Sequence, residues 1–184
     1  MILSRWFARG SEAAALAYRR IVAQARQPAL YAGLGVPDSA DGRFEMLALH
    51  LFLVLHRLKS ERGDPACAAL AQDLTDHMMA DMDANLREMG AGDLGVGRRV
   101  KRMAKALYGR IAAYEAGFDR GEAALRQAVR QAVFATVEPG DAQVAAVARY
   151  LITCREALAA QPAGALARGA IDFPPVEVDG AADR

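Results

Sequence analysis

Asp73, His77 and Asp81 have the spacing in this chain that most resembles a metal-binding or catalytic set. They are four residues apart, so a helix would place them on one face. Two carboxylates and an imidazole can bind a divalent metal, but one helix rarely supplies a complete site. The remaining ligands would have to come from His50, His56 or Glu45. No Glu-x-x-His pair of the kind found in di-iron bundles is present, so we predict a solvated polar face, no metal and no cofactor. A haem- or metal-binding helical protein remains an alternative.

The stretch Gly90-x-Gly92-x-x-Gly95 matches the dinucleotide-binding fingerprint. That fingerprint works after a strand and within a βαβ unit, whereas here a predicted helix precedes it. We therefore interpret the stretch as a turn between antiparallel helices, where glycines supply positive φ angles. An anion bound by its amides beside Arg98 and Arg99 is the alternative. Because no Gly-x-Ser-x-Gly or Cys–His signature occurs, the sequence indicates no enzyme.

Charge is segregated on either side of this turn. Residues 64–93 contain seven acids and one base, whereas residues 94–110 contain six bases and no acid. Pairing between two antiparallel helices is the simplest interpretation, but an exposed pair contributes only about 0–1 kcal/mol. Bases at a helix start also oppose the helix dipole. We therefore predict that residues 81–105 form a surface for a partner. The candidate residues are Asp81, Asp83, Asn85, Arg87, Glu88, Arg98, Arg99, Lys101, Arg102 and Lys105.

Methionines are concentrated near the same turn. Flexible thioether side chains suit an adaptable binding surface, although filling of the core is the simpler interpretation. The group comprises Met78, Met79, Met82, Met89 and Met103, of which Met78 and Met103 are predicted to be core residues.

The composition favours an all-α fold. The chain has 184 residues, 53% of them apolar but only 7% aromatic, and alanine, the best helix former, is abundant. We predict a single compact bundle of five to seven helices. The net charge of +1 gives no indication of a nucleic-acid partner, and we predict no DNA binding. Cys67 and Cys154 are predicted to be buried and reduced.

Apolar periodicity and capping residues predict the helices. The predicted segments are Leu16–Ala25, Asp41–Arg62, Pro65–Met89, Gly95–Glu115 with a break at Gly117, 121–137, and Asp141–Ala160. Residues 28–42 are predicted to be a loop, and the helix from Asp41 carries one apolar stripe. Asp38, Ser39 or Asp41 caps that helix, Asp64 caps the next, and Asp141 caps the last.

The two ends of the chain are predicted to lie outside the helical domain of residues 11–160. Residues 1–10 form a frayed end or a short interfacial anchor, in which Trp6 and Phe7 would contact a membrane. Residues 161–184 form a docked or disordered tail. No secretory signal and no membrane span are recognised, so we predict a cytoplasmic protein that can be peripheral at the inner membrane. A peripheral membrane adaptor is therefore a further alternative.

Several ordered blocks over residues 18–155 resemble a known family. They are Tyr18-x-x-Ile21-Val22-x-Gln24-Ala25-Arg26, Tyr31, Gly35-Val36-Pro37-Asp38-x-x-Asp41-Gly42-Arg43-Phe44-Glu45-Met46-Leu47, His50, Leu58, Asp81-Met82-Asp83-x-Asn85-Leu86-Arg87-Glu88-Met89-Gly90, Gly92-Asp93-Leu94-x-Val96-Gly97, Lys101-x-Met103, Tyr108-Gly109-Arg110 and Tyr114. With these blocks the chain resembles the ubiquinol–cytochrome c chaperones, which assist assembly of respiratory complex III.

The resemblance implies an all-helical protein without catalytic activity. In mitochondria such chaperones act with a small partner at the ribosome exit and hold new cytochrome b while it acquires haem. The expected partners are thus cytochrome b or another complex III subunit, a ribosome or a small partner protein. Because no long N-terminal extension is present, the chain resembles the compact bacterial members of the family.

Overall fold

A computed structural model describes residues 12–61, 63–88 and 93–178, and this part of the chain is helical without a strand. It contains six long helices and two of five residues each, which confirms the predicted all-α bundle. The helices are α1 (Glu12–Ala25), α2 (Pro28–Ala32), α3 (Ala40–Ser60), α4 (Pro65–Glu88), α5 (Asp93–Arg120), α6 (Glu122–Ala132), α7 (Asp141–Ala159) and α8 (Ala163–Ala167). No helix within these ranges has the length and apolar character needed to cross a membrane.

Helix α3 is the central element of the bundle. It contacts α1, α4, α5 and α7, and it is buried on most of its circumference. The predicted apolar stripe packs into the core, and Leu49, Phe52 and Leu53 outside it are buried too. A helix that is apolar nearly all round is typical of a core position. Ser39 caps its start by accepting a hydrogen bond from the Gly42 amide at 3.1 Å.

Helix α5 continues through Gly117, so the predicted break was wrong. It ends at Arg120, before Gly121 with a φ of 94°. A Cβ on Gly117 would lie 2.9 Å from Leu125 Cα, which is closer than packing allows. Gly117 therefore permits the close approach of α6, and the turn itself falls four residues later.

Other boundaries also differ from the predictions. The predicted loop 28–42 contains α2. Helix α6 ends at Ala132, and the residues after it, which were predicted to be helical as far as 137, form turns. Helix α5 begins at Asp93, two residues before the predicted start at Gly95. Asp64 caps α4 as predicted, accepting from the Ala66 amide at 2.8 Å. The N-cap of α7 is Gly140 rather than Asp141.

The segment after α7 packs on the bundle as far as residue 178. Ile171 is buried, and Phe173 and Val176 pack against the core. Gln161 fixes the return of the chain, because its amide donates to the Asp172 carbonyl at 2.6 Å and accepts from the Asp172 amide at 3.1 Å. Residues 161–178 thus form a docked extension of the bundle.

Candidate binding surface

One face of α5 carries exposed basic and aromatic side chains. Lys101, Lys105 and Tyr108 follow each other at four and three residues, so they form one line along the helix. All three are exposed, and Tyr108 is 59% accessible. Arg102 and Gly109, which are also exposed, form a second line beside the first. We call these five residues the α5 strip.

The three bases of the α5 strip have no ion-pair partner in the described part of the chain. Neighbouring acids form ion pairs with other bases: Glu115 pairs with Lys59 at 2.7 Å, and Glu45 pairs with Arg110. None of the ion pairs described for the two helices joins an acid of α4 to a base of α5. Pairing across the flanks of α4 and α5 therefore does not neutralise Lys101, Arg102 or Lys105 in the described part of the chain.

The α4 half of the predicted surface makes contacts within the chain. Asp83 pairs with Arg87 at 2.6 Å, one turn along the helix. Asn85 donates to the Asp81 carbonyl at 2.7 Å, and the Asp81 carboxylate accepts from the Tyr18 hydroxyl at 3.0 Å. Asp81 thus joins α4 to α1 as well as lying at the edge of the surface. Glu88 is exposed.

Some predicted residues lie outside the described part of the molecule. These are Trp6, Phe7 and Met89, together with the side chains of Arg98 and Arg99. Of the other methionines, Met78 and Met82 are buried core residues, and Met79 and Met103 pack partly buried against the core. The core interpretation therefore holds for these four methionines, including Met78 and Met103 as predicted.

The line of Asp73, His77 and Asp81 faces a neighbouring helix over part of its length. The His77 ring stacks on Tyr18 of α1, with 5.8 Å between ring centroids. The prediction of a solvated polar face was therefore wrong at His77 and Asp81. Within the described ranges, no three His, Cys, Asp or Glu side chains lie close enough together to hold a metal ion.

A buried ion pair holds α5 against α3 next to the α5 strip. The Arg110 guanidinium makes two hydrogen bonds to the Glu45 carboxylate and lies 5.9 Å from the centre of the Phe44 ring. Burial raises the pKa of Glu45, and Arg110 opposes that rise. Such a fork-to-carboxylate pair fixes the rotation of α5, and this rotation turns the α5 strip to solvent.

His50 is hydrogen-bonded at both ring nitrogens in the centre of the bundle. Nδ1 donates to the Met46 carbonyl at 2.7 Å, so Nε2 is the acceptor for the Tyr150 hydroxyl, also at 2.7 Å. Gln24 donates to the Tyr150 oxygen at 2.8 Å and to the Pro174 carbonyl at 3.0 Å. The network satisfies both ring nitrogens, and the His50 side chain is fully buried. The network joins α1, α3, α7 and the C-terminal extension.

An all-α bundle with a basic helix face open to solvent is typical of a protein that binds another macromolecule. The chain belongs to the ubiquinol–cytochrome c chaperone family, because residues 32–173 match the family described as Ubiquinol-cytochrome C chaperone. The chain is similar to the Cbp3 homolog from Brucella abortus, whose crystal structure matches it with 39% sequence identity and a TM-score of 0.82. The match covers 97% of this chain and 100% of that one. A comparison with curated protein sequences finds no match.

Proposed function

We propose that this chain is a non-enzymatic assembly chaperone of ubiquinol–cytochrome c reductase that binds newly made cytochrome b or another complex III subunit. Membership of the chaperone family supports the role in complex III assembly. The observation that carries the binding surface is the exposure of Lys101, Arg102 and Lys105 without ion-pair partners among the described residues. Unpaired bases on a rigid helix attract an acidic partner and orient it during encounter.

The proposed place of action is the cytoplasmic face of the inner membrane. A chaperone for a membrane protein meets its client there, at the ribosome or with a small partner protein. Contact of Trp6 and Phe7 with lipid would keep the chaperone close to the client. The remaining predicted surface residues, Arg98 and Arg99, belong to the same helix as the three exposed bases and extend the proposed surface towards its start.

Co-isolation from native membranes tests the proposal. We expect tagged wild-type protein to recover cytochrome b, and the triple reversal K101E/R102E/K105E to recover at least about fivefold less. The matched control is R19E/R26E/R120E, which changes the net charge by the same amount at three other exposed arginines. The control should recover cytochrome b like the wild type. A wild-type isolate without cytochrome b or any other complex III subunit would refute the client, and equal recovery by all three proteins would refute the surface.

A further inference from the structure

Tyr108 is a large side chain that the fold leaves in water. It is 59% exposed, and in the described part of the chain only Val137 is a comparably exposed large apolar residue. Tyrosine buries a large rigid area on binding, with few rotatable bonds to immobilise, and is enriched among the residues that dominate binding energy. Tyr108 also continues the line of Lys101 and Lys105, so an aromatic group and two cations lie within about 10 Å along α5.

Gly109 adds an independent observation next to Tyr108. A glycine inside a helix costs about 1 kcal/mol relative to alanine, and it is usually kept because something packs against it. Gly117 illustrates that case, since Leu125 lies against it. A Cβ on Gly109, in contrast, would meet nothing within 4 Å. The fold itself therefore supplies no packing reason for glycine at this exposed position, one turn from Lys105.

We infer that the α5 strip is the docking surface for an acidic polypeptide segment of the client, anchored on Tyr108, with Gly109 leaving room for close approach of the client backbone. The inference rests on the proposed function and assigns the chemistry of its surface. Carboxylates of the client would pair with Lys101, Arg102 and Lys105, while an apolar client residue covers the Tyr108 ring.

The charges around the strip favour a polypeptide over a nucleic acid or an anionic membrane. The whole chain has a net charge of only +1, and binding to a polyanion gains affinity mainly from many phosphate contacts. Glu88 and the paired Asp83 lie on α4, the helix that packs beside α5. Acids at the margin would repel a uniformly anionic surface, whereas a polypeptide can place a base opposite them.

Four single variants test the anchor, with cytochrome b recovered by the tagged full-length chain as the readout. We expect Tyr108→Ala to lower recovery about tenfold and Tyr108→Phe to remain within about twofold of the wild type, since the ring supplies the buried area. Val137→Ala, at the other exposed apolar position, should recover cytochrome b like the wild type. Gly109→Ala should raise the free energy of unfolding and nevertheless lower recovery.

For Gly109→Ala, higher stability together with weaker binding would distinguish a role of Gly109 in docking from a role in folding. Normal recovery by Tyr108→Ala, with cytochrome b present in the wild-type isolate, would overturn the inference and leave the proposed function intact. Absence of cytochrome b from the wild-type isolate would overturn both. Binding to phosphatidylglycerol vesicles or to single-stranded RNA that Tyr108→Ala abolishes, with cytochrome b recovery unchanged, would assign the strip to lipid or RNA and overturn the polypeptide partner.

Discussion

His50 illustrates at the level of one residue how a polar group is placed in the centre of this bundle. In the neutral ring, Nδ1 donates to the Met46 carbonyl and Nε2 accepts from the Tyr150 hydroxyl, so both nitrogens are satisfied. A proton on Nε2 would require the Tyr150 hydroxyl to turn its hydrogen away and accept through an oxygen that already accepts from Gln24. Burial lowers the pKa of His50 from 6.5 to about 4. The histidine therefore contributes to the structure as a neutral hydrogen-bonding group.

The lowered pKa predicts how stability depends on pH. Between pH 6.5 and about 4 the unfolded chain protonates this ring while the folded chain does not. Protons thus favour the unfolded chain, and the wild type should lose about 3 kcal/mol through this group as the pH falls across that range. His50→Gln, which does not titrate, should be less stable at pH 7 and should approach the wild type on acidification. Urea unfolding at pH 7, 5.5 and 4.5 measures the difference in the free energy of unfolding between the two proteins. A difference that stays constant with pH would contradict the assignment of His50 as a neutral group with a lowered pKa.

At the level of elements, the α5–α6 hairpin depends on one glycine. Gly117 brings the Leu125 backbone to a distance that no larger residue allows. From neighbouring residues alone, a glycine in this position indicates a helix end, since glycine is common at C-terminal caps. That interpretation failed here because the need for close packing comes from α6, which lies later in the chain. The same long-range packing explains why α3 is buried on most sides although its sequence indicates one stripe.

Two alanine substitutions in α5 compare Gly117, which packs against Leu125 of α6, with Gly109, which has no neighbour where a Cβ would lie. Gly117→Ala should lower the free energy of unfolding by about 1–3 kcal/mol, because its Cβ would be forced against the Leu125 backbone. Gly109→Ala is the matched control in the same helix and should instead stabilise the protein, since nothing lies near the added methyl group. Thermal and urea unfolding measure both effects. Equal changes at the two positions would contradict the packing role of Gly117.

Helix types and two of the predicted caps, Ser39 and Asp64, were predictable because they depend on neighbours in sequence. The third cap, predicted at Asp141, is Gly140. The candidate site was predictable only as a region. Charge segregation indicated residues 81–105, but the pairing of Asp81 with Tyr18 of α1 depends on the tertiary fold. Tyr108 was not among the predicted surface residues, because that prediction rested on charge and ended at residue 105. Only its exposure distinguishes it from Tyr114, which is fully buried.

At the level of the whole molecule, a rigid bundle presents a charged helix face. The Glu45–Arg110 pair holds α5 against the central α3, so the strip is preorganised and little binding free energy would be lost in ordering it when a client binds. The net charge near zero leaves the local bases, rather than a global field, to orient an acidic partner. Both properties suit a chaperone that must bind a particular client and later release it.

The content of cytochrome b in native membranes tests the central claim most directly. A strain without this chain is complemented with the wild type, with K101E/R102E/K105E or with the control R19E/R26E/R120E, and cytochrome b is measured from reduced-minus-oxidised spectra. We predict a loss of cytochrome b without the chain, recovery with the wild type and the control, and no recovery with K101E/R102E/K105E although that protein is folded and present. Normal cytochrome b in the strain without the chain would contradict the account.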